Sequence, residues 1–339
     1  MPRLPNLRSS LVLAAAFAFA GCHATGPDRQ PAATTATWAI AIHGGAGTLG
    51  KNRPKEELAT YEAALQRALS HGRDLLAGGA QALDVCEAVV RILEDEPLFN
   101  AGKGAVFNAA GEHELDASIM DGRTRRCGAV AGVRTVKNPI TLARLVMLQT
   151  PHVLLMGAGA EQFADSTGVE RVPNDWFDTP ARQRALERAL QQQKRTAAAL
   201  PATPSDRYGT VGCVVRDQQG NLAAATSTGG MTAKRFGRVG DAPVIGAGNY
   251  ADDVVAVSCT GTGEEFIRHV VAHSIAARMR FGGQSLAEAT RAVVFDVLQK
   301  DDGGLIAVDA AGNVALPFNS EGMYRGAADG NGRFEVAIF

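Results

Sequence analysis

The chain has 339 residues, enough for one large core or two modest ones. With 46% hydrophobic and 20% charged residues it reads as globular. A formal net charge of −1 provides no basic field for nucleic acid and no acidic tail for a basic partner.

Arg3 and Arg8 precede an apolar run, Leu11 to Ala20, that ends at Gly21-Cys22. The run is too short to span a bilayer and has the layout of a secretory signal. Phe19-Ala20-Gly21-Cys22 resembles a bacterial lipobox. Residues 1–22 are therefore expected to be a signal peptide, with the exported chain lipid-anchored at Cys22 in the periplasm; ordinary signal cleavage is the alternative. Residues 23–37, rich in Ala, Thr and Pro, read as a disordered tether. The other cysteines, Cys86, Cys127, Cys213 and Cys259, lack paired spacing and sit in apolar stretches, so they read as small buried hydrophobes.

Trp38 to Ile42 reads as a buried strand running into the turn His43-Gly-Gly-Ala-Gly47. Helical spacing predicts a helix over 55–77, with Tyr61, Leu65, Ala68 and Leu69 on one face, and another over 80–95, with Val85, Val89, Ile92 and Leu93. Gly-punctuated strands are predicted at 104–108, 113–120 and 127–135. Pro139 opens a helix through Gln149. A short strand at 152–156 leads to a helix near 158–165. Residues 180–209 form a linker that starts as an amphipathic helix and ends flexible, a preferred place for a chain break.

Strands resume at 210–216, 221–228 and 254–259, followed by helices at 262–280 and 285–299 and strands at 304–309, 313–317 and 332–338. Asp217 to Ala223 and Asp309 to Ala315 share a hairpin pattern in which Gly-Asn is expected to supply positive φ angles. Blocks of strands and helices with frequent hairpins predict antiparallel sheets covered by helices.

Gly209-Thr210 opens an apolar strand after that linker. A Thr hydroxyl is a poor nucleophile until the Thr begins a chain, when its own α-amine can take the hydroxyl proton. Ala225-Thr-Ser-Thr-Gly-Gly230 places hydroxyls at the end of a strand, where they can orient a nucleophile. Arg238 and Asp241, on a Gly-flanked loop, can recognise the carboxylate and the ammonium of an α-amino acid. Cys259-Thr-Gly-Thr-Gly-Glu264 ends a strand and starts a helix; it can form an oxyanion hole or a Thr-capped helix start, with Glu264 supporting the first turn. His43 reads as a core or turn residue, since a terminal amine makes a His base unnecessary. Glu112, His113, Glu114, Asp116 and Asp121 alternate along a hairpin and read as solvated or turn-making, not as a metal cluster.

In this order these motifs, together with Pro97-Leu-Phe-Asn-Ala-Gly102, Glu114-Leu-Asp-Ala117 and Met120-Asp-Gly122, resemble the plant-type asparaginase/isoaspartyl peptidase family of N-terminal nucleophile hydrolases. The resemblance spans nearly everything after residue 37. It implies an α+β fold, a four-layer αββα sandwich made by 38–209 and 210–339 together. It also implies self-cleavage between Gly209 and Thr210 into α and β subunits, and association of two such pairs into a heterotetramer. The implied substrates are β-aspartyl dipeptides and asparagine, small molecules hydrolysed through a β-aspartyl-enzyme without a catalytic cofactor.

By the same resemblance, Thr210 is the nucleophile, Thr228 lies beside it, and Thr260 with the Gly261 N–H forms the oxyanion hole. Arg238 and Asp241 hold the substrate's ends, Asn100 lies near the site and Gly263 lines the pocket. A structural Na+ is implied under the loop 93–103, held by the carbonyls of Leu93, Glu94, Glu96, Phe99, Ala101 and Lys103. Lys234-Arg235-Phe236, Ala242 and Asn249 depart from the family's pattern near the expected pocket. Two rival readings are a glycosylasparaginase with the same nucleophile and an unprocessed periplasmic amino-acid-binding protein.

Overall fold

A computed structural model describes residues 36–47, 50, 53–196 and 209–339. The expected leader with Cys22, nearly all of the tether, and residues 197–208 of the linker lie outside the described residues. In chain order the elements are β1 (Ala39–Gly47), α1 (Lys55–Ala77), α2 (Ala82–Asp95), β2 (Leu115–Asp121), β3 (Cys127–Val133), α3 (Pro139–Gln149), β4 (Leu154–Met156), α4 (Gly157–Thr167) and α5 (Pro180–Thr196). They continue with β5 (Val211–Arg216), β6 (Leu222–Thr228), β7 (Asn249–Ala251), β8 (Val255–Gly261), α6 (Gly263–Arg268), α7 (Val271–Gly282), α8 (Leu286–Arg291), β9 (Gly303–Asp309), β10 (Val314–Ala315), β11 (Gly322–Asp329) and β12 (Phe334–Ala337).

Among the described residues, twelve strands form two sheets, one of eight in the order β12-β11-β1-β5-β6-β2-β3-β4 and one of four in the order β10-β9-β8-β7. Neighbours are antiparallel except β3 and β4. Alternation along the strands builds three apolar layers. Ile40, Ile42, Val211, Cys213 and Val215 face α1, α2 and α3, packing against residues such as Leu65, Leu69, Val85 and Val89. Ala39, Ala41, Val214 and Ala224 point the other way and meet Ala256, Ile306 and Val308 of the second sheet. The opposite face of that sheet, with Val255, Val257 and Leu305, packs on Phe266, Ile275 and Val293 of the second helical layer. The result is an αββα sandwich. Its inter-sheet layer is rich in alanine, so strand ends of both sheets can come close together.

Several expectations are corrected. Residues 104–108 are not a strand: a 3-10 turn covers Gly102–Gly104, Val106 N donates to Asn100 Oδ1 at 2.9 Å and the Phe107 carbonyl accepts from Ala233 N at 2.8 Å. The helix expected over 262–280 is broken at Val270, which adopts a left-handed φ of 47°. The helix expected over 285–299 becomes a π-helical turn at Ala292–Val297. In both hairpins only the Gly has positive φ; the tips are fastened instead by Asp217, which accepts from Gln219 N and Asn221 N, and by Asp309, which accepts from Ala311 N and Asn313 N. Cys86, Cys213 and Cys259 are buried thiols, whereas Cys127 is only partly covered.

Candidate active site

Thr210 immediately precedes β5, a central strand. The β5–β6 register pairs Val211 with Ser227, which sets Thr210 beside Thr228 at the end of β6. Their hydroxyl oxygens are 3.2 Å apart, and Thr228 Oγ1 also accepts from Gly230 N at 3.0 Å. On the other side of β5 runs β1, whose His43 pairs with Gly212. The second sheet delivers Thr260 at the end of β8, where its hydroxyl accepts from Ala46 N at 3.1 Å. The backbone N–H of β1 thus takes the acceptor side of Thr260, leaving the hydroxyl hydrogen to point elsewhere.

Asn100 ties the segments on either side of this junction together. Its backbone N donates to the Gly209 carbonyl at 3.0 Å, its carbonyl accepts from Gly229 N at 3.0 Å, and its Nδ2 donates to the Gly230 carbonyl at 2.7 Å. Gly45 makes room for the same segment: at φ 115°, a Cβ there would lie 2.1 Å from Gly209 Cα.

Asn100, Gly209, Thr210, Thr228, Arg238, Asp241, Thr260, Gly261 and Gly263 all line one pocket. Every residue singled out from the sequence for the nucleophile, the oxyanion and the substrate's ends is therefore brought together. Ala46, Gly230, Met231, Gly240, Thr262 and Glu264 line it as well. Of these, Glu264 is the consequential omission. Glu264 lies in the first turn of α6, as expected, and its carboxylate is also bidentate with Arg238, Nε to Oε1 and Nη2 to Oε2, both at 2.9 Å. No short-range pattern marks this pair, because 26 residues separate the partners. Thr262 occupies the N-cap of α6 without a side-chain cap bond, and that helix has only six residues.

Asp241 is buried, its Oδ2 has no hydrogen-bond partner in the described structure, and burial pushes its carboxyl up to about 7 against the opposing pull of Arg238. His43 is buried too, and burial lowers its ring to about 3, so it is neutral at physiological pH. Its Nδ1 lies 2.9 Å from the Thr210 carbonyl and its Nε2 2.9 Å from Ser258 Oγ.

The departures from the family pattern do not line the pocket. Asn249 is buried between the sheets, donating to the Ser118 carbonyl at 2.8 Å, and the Ala242 carbonyl accepts from Ser118 Oγ at 2.6 Å. Lys234 is buried behind Gly230 and donates to the Glu114 carbonyl at 2.8 Å, while Phe236 is fully exposed. The acidic hairpin is only partly solvated. His113 and Asp116 are buried, His113 pairing with Asp178 and Asp116 accepting from Gly132 N at 2.8 Å.

The loop 93–103, where a Na+ is expected, packs tightly on itself. A Cβ on Gly102 would lie 2.3 Å from the Glu94 carbonyl oxygen, and one on Gly104 2.0 Å from that of Phe99. The turn thus folds two of the six expected carbonyls closely around its glycines. Glu96 and Ala101 already accept from Phe99 N and Gly104 N, which leaves each oxygen a second lone pair. Backbone carbonyl oxygens are the ligand type a hard cation takes.

Residues 36–338 match the family model described as Asparaginase. The chain is 54% identical over 292 residues to an isoaspartyl peptidase of Salmonella typhimurium, covering 84% of this chain and 93% of that protein. It is 53% identical over 296 residues to an isoaspartyl peptidase of Escherichia coli, covering 84% and 91%. A plant-type L-asparaginase of Pyrococcus horikoshii is 40% identical over 295 residues, covering 84% and 94%.

Proposed function

The chain belongs to the asparaginase family, and from that premise we propose that it is an isoaspartyl peptidase and L-asparaginase that cuts itself before Thr210 and uses the freed residue as its nucleophile. The observation that carries this reading is the convergence of Thr210, Thr228, Thr260, Arg238 and Asp241 on one pocket.

Self-cleavage starts when Thr210 Oγ1 adds to the Gly209 carbonyl carbon. The peptide nitrogen leaves as the α-amine of Thr210, and water hydrolyses the resulting ester. In the mature enzyme that amine accepts the hydroxyl proton while Oγ1 attacks the side-chain carbonyl of the substrate. The amine then passes the proton to the departing ammonia or amino acid, leaving a β-aspartyl ester on Thr210. Water, deprotonated by the same amine, resolves the ester. The Thr260 hydroxyl and the Gly261 N–H stabilise the oxyanion in both steps. Thr228, 3.2 Å from the nucleophile, orients it. Arg238 takes the α-carboxylate and Asp241 the α-ammonium.

The carbonyls of Leu93, Glu94, Glu96, Phe99, Ala101 and Lys103 would hold a Na+ that stiffens the loop bearing Asn100. It would take no part in the reaction. We further propose export under an N-terminal signal with lipidation at Cys22, and assembly of two α/β pairs.

The test is a denaturing gel of active protein with N-terminal sequencing, alongside assays on β-Asp-Leu, asparagine and a GlcNAc-Asn substrate. Two bands, one beginning at Thr210, with turnover of the first two substrates are expected. One intact band with full activity would refute the mechanism. Turnover confined to the third substrate would favour a glycosylasparaginase, and an intact chain that binds without turnover would favour an amino-acid-binding protein.

A further inference from the structure

Arg238 reaches the pocket already held. Its Nε and Nη2 both donate to the Glu264 carboxylate, each at 2.9 Å. A guanidinium carries five N–H bonds in a rigid plane. The Glu264 pair uses the Nε side, which leaves both hydrogens of Nη1 and one of Nη2. Those form the end of the fork, where two parallel N–H bonds match a second carboxylate.

Two glycines keep that end clear. A Cβ on Gly240 would lie 2.7 Å from Nη1, and one on Gly263 would lie 2.7 Å from Nη2 and 3.0 Å from Asp241 Oδ1. The guanidinium is thus bracketed, with a carboxylate on one edge and enforced space at the other. Glu264 sits three residues after Gly261, so a single turn carries both the proposed oxyanion site and the partner of Arg238.

We propose that Glu264 is a positioning residue. It fixes the Arg238 side chain so that the Nη1–Nη2 end meets the substrate's α-carboxylate, and it thereby sets the preference for substrates in which that carboxylate is free. The proposal rests on the reading of Arg238 as the carboxylate anchor. A long Arg side chain loses rotamer freedom when it clamps a ligand, and the Glu264 pair imposes that loss before substrate arrives. The negative charge of Glu264 opposes substrate binding, but its side chain is 46% exposed, so water screens the repulsion while the directional bonds persist. Orientation therefore outweighs repulsion.

The test uses the full-length chain as wild type, Glu264→Gln and Glu264→Ala. Each is assayed on β-Asp-Leu and on the analogue whose aspartyl α-carboxylate is an amide. Cleavage before Thr210 should go to completion in all three, because the scissile segment is held by Asn100 N on the Gly209 carbonyl and by His43 Nδ1 on the Thr210 carbonyl, and not by Glu264. For Glu264→Ala, KM for β-Asp-Leu should rise about tenfold, with the change concentrated in KM and not in kcat. Its preference for acid over amide should fall by a similar factor. Glu264→Gln, which keeps one acceptor oxygen, should lie between.

An unchanged or lowered KM would overturn the proposal, as would a parallel loss of kcat and thermal stability with the acid-to-amide preference intact. If wild type turned over neither compound, the functional reading would fall and this proposal with it. A wild type that worked beside an indistinguishable Glu264→Ala would sink the proposal alone.

Discussion

His43 Nδ1 lies 2.9 Å from the carbonyl oxygen of Thr210. A carbonyl only accepts, so Nδ1 carries the ring hydrogen and Nε2 accepts from Ser258 Oγ at 2.9 Å. Ser258 Oγ is in turn 2.7 Å from Thr226 Oγ1. A buried file of hydrogen bonds thus runs from the second sheet through a neutral imidazole to the backbone of the proposed nucleophile. His43 is a strut, in keeping with its reading as a core residue.

Replacing His43 by Ala would leave the Ser258 hydroxyl without its acceptor and the Thr210 carbonyl without its donor, at about 1–3 kcal/mol for each buried group. Melting temperature should drop, and the uncut fraction on a time-resolved denaturing gel should rise. Because burial holds the ring near 3, both effects should be alike at about pH 6 and about pH 8. Cleavage at the wild-type rate would remove His43 from the positioning of Thr210.

Thr260 offers a cleaner test of the chemistry. Its hydroxyl accepts from Ala46 N, so its hydrogen is directed away from that bond. Thr260→Val keeps the shape and removes the donor, along with the acceptor of Ala46 N, whose loss falls on stability and not on the transition state. The expected loss is about 3 kcal/mol of transition-state stabilisation, roughly a hundredfold in kcat, with KM nearly constant. Steady-state kinetics on β-Asp-Leu would show it; a rise confined to KM would place Thr260 in substrate binding instead.

Local pattern carried much of the fold into view because helix burial follows the 3.6 period, while the central strands, buried on both faces, stand out as continuous apolar runs. The ends of α1 and α3 lie where spacing and Pro139 put them. Strand β11 was missed for a tertiary reason. Its sequence, GMYRGAAD, has no β-branched residue, yet it is held by register with β1 from Ala39↔Asp329 to Gly47↔Gly322. The run 104–108 misled in the opposite sense: it is apolar and buried, but its backbone bonds go to Asn100 and Ala233 instead of a ladder. At Val270 no Gly or Pro announces the left-handed turn that splits α6 from α7. The pocket-lining residues from Thr210 to Gly263 were legible because motif chemistry marks them. Glu264 was not, because its role depends on where Arg238 arrives from a distant loop.

Gly45 gives a prediction with a built-in control. Its φ is 115°, and an added methyl would lie 2.1 Å from Gly209 Cα, so Gly45→Ala should displace the scissile segment and leave the chain uncut. Gly79 has φ 85° with nothing within 4 Å of an added Cβ. Gly79→Ala should therefore cost only about 1 kcal/mol of backbone strain and cleave normally. Equal cleavage in both variants would show that the contact with Gly209 does not govern processing.

Asp241 should set the acid side of the pH profile. Burial raises its carboxyl from the ordinary 3.8 to about 7, so in the free enzyme it is largely protonated below that value. An α-ammonium needs the carboxylate, and a substrate arriving at lower pH must displace the proton. Below about pH 7, kcat/KM should therefore fall about tenfold per pH unit, while kcat holds level further down because bound ammonium keeps Asp241 ionised. Protonation of the Thr210 α-amine would instead lower both parameters together.

The same group has a definite sign in stability. A carboxyl with a raised folded-state value binds its proton more tightly when folded, so its contribution is fully present below about 4 and is lost as pH rises through about 7. Asp241→Asn should flatten that decline, and calorimetry of both proteins across the window would reveal it. A wild-type kcat/KM that stayed constant between about pH 5 and about pH 7 would take Asp241 out of the ammonium site, whatever the melting curves showed.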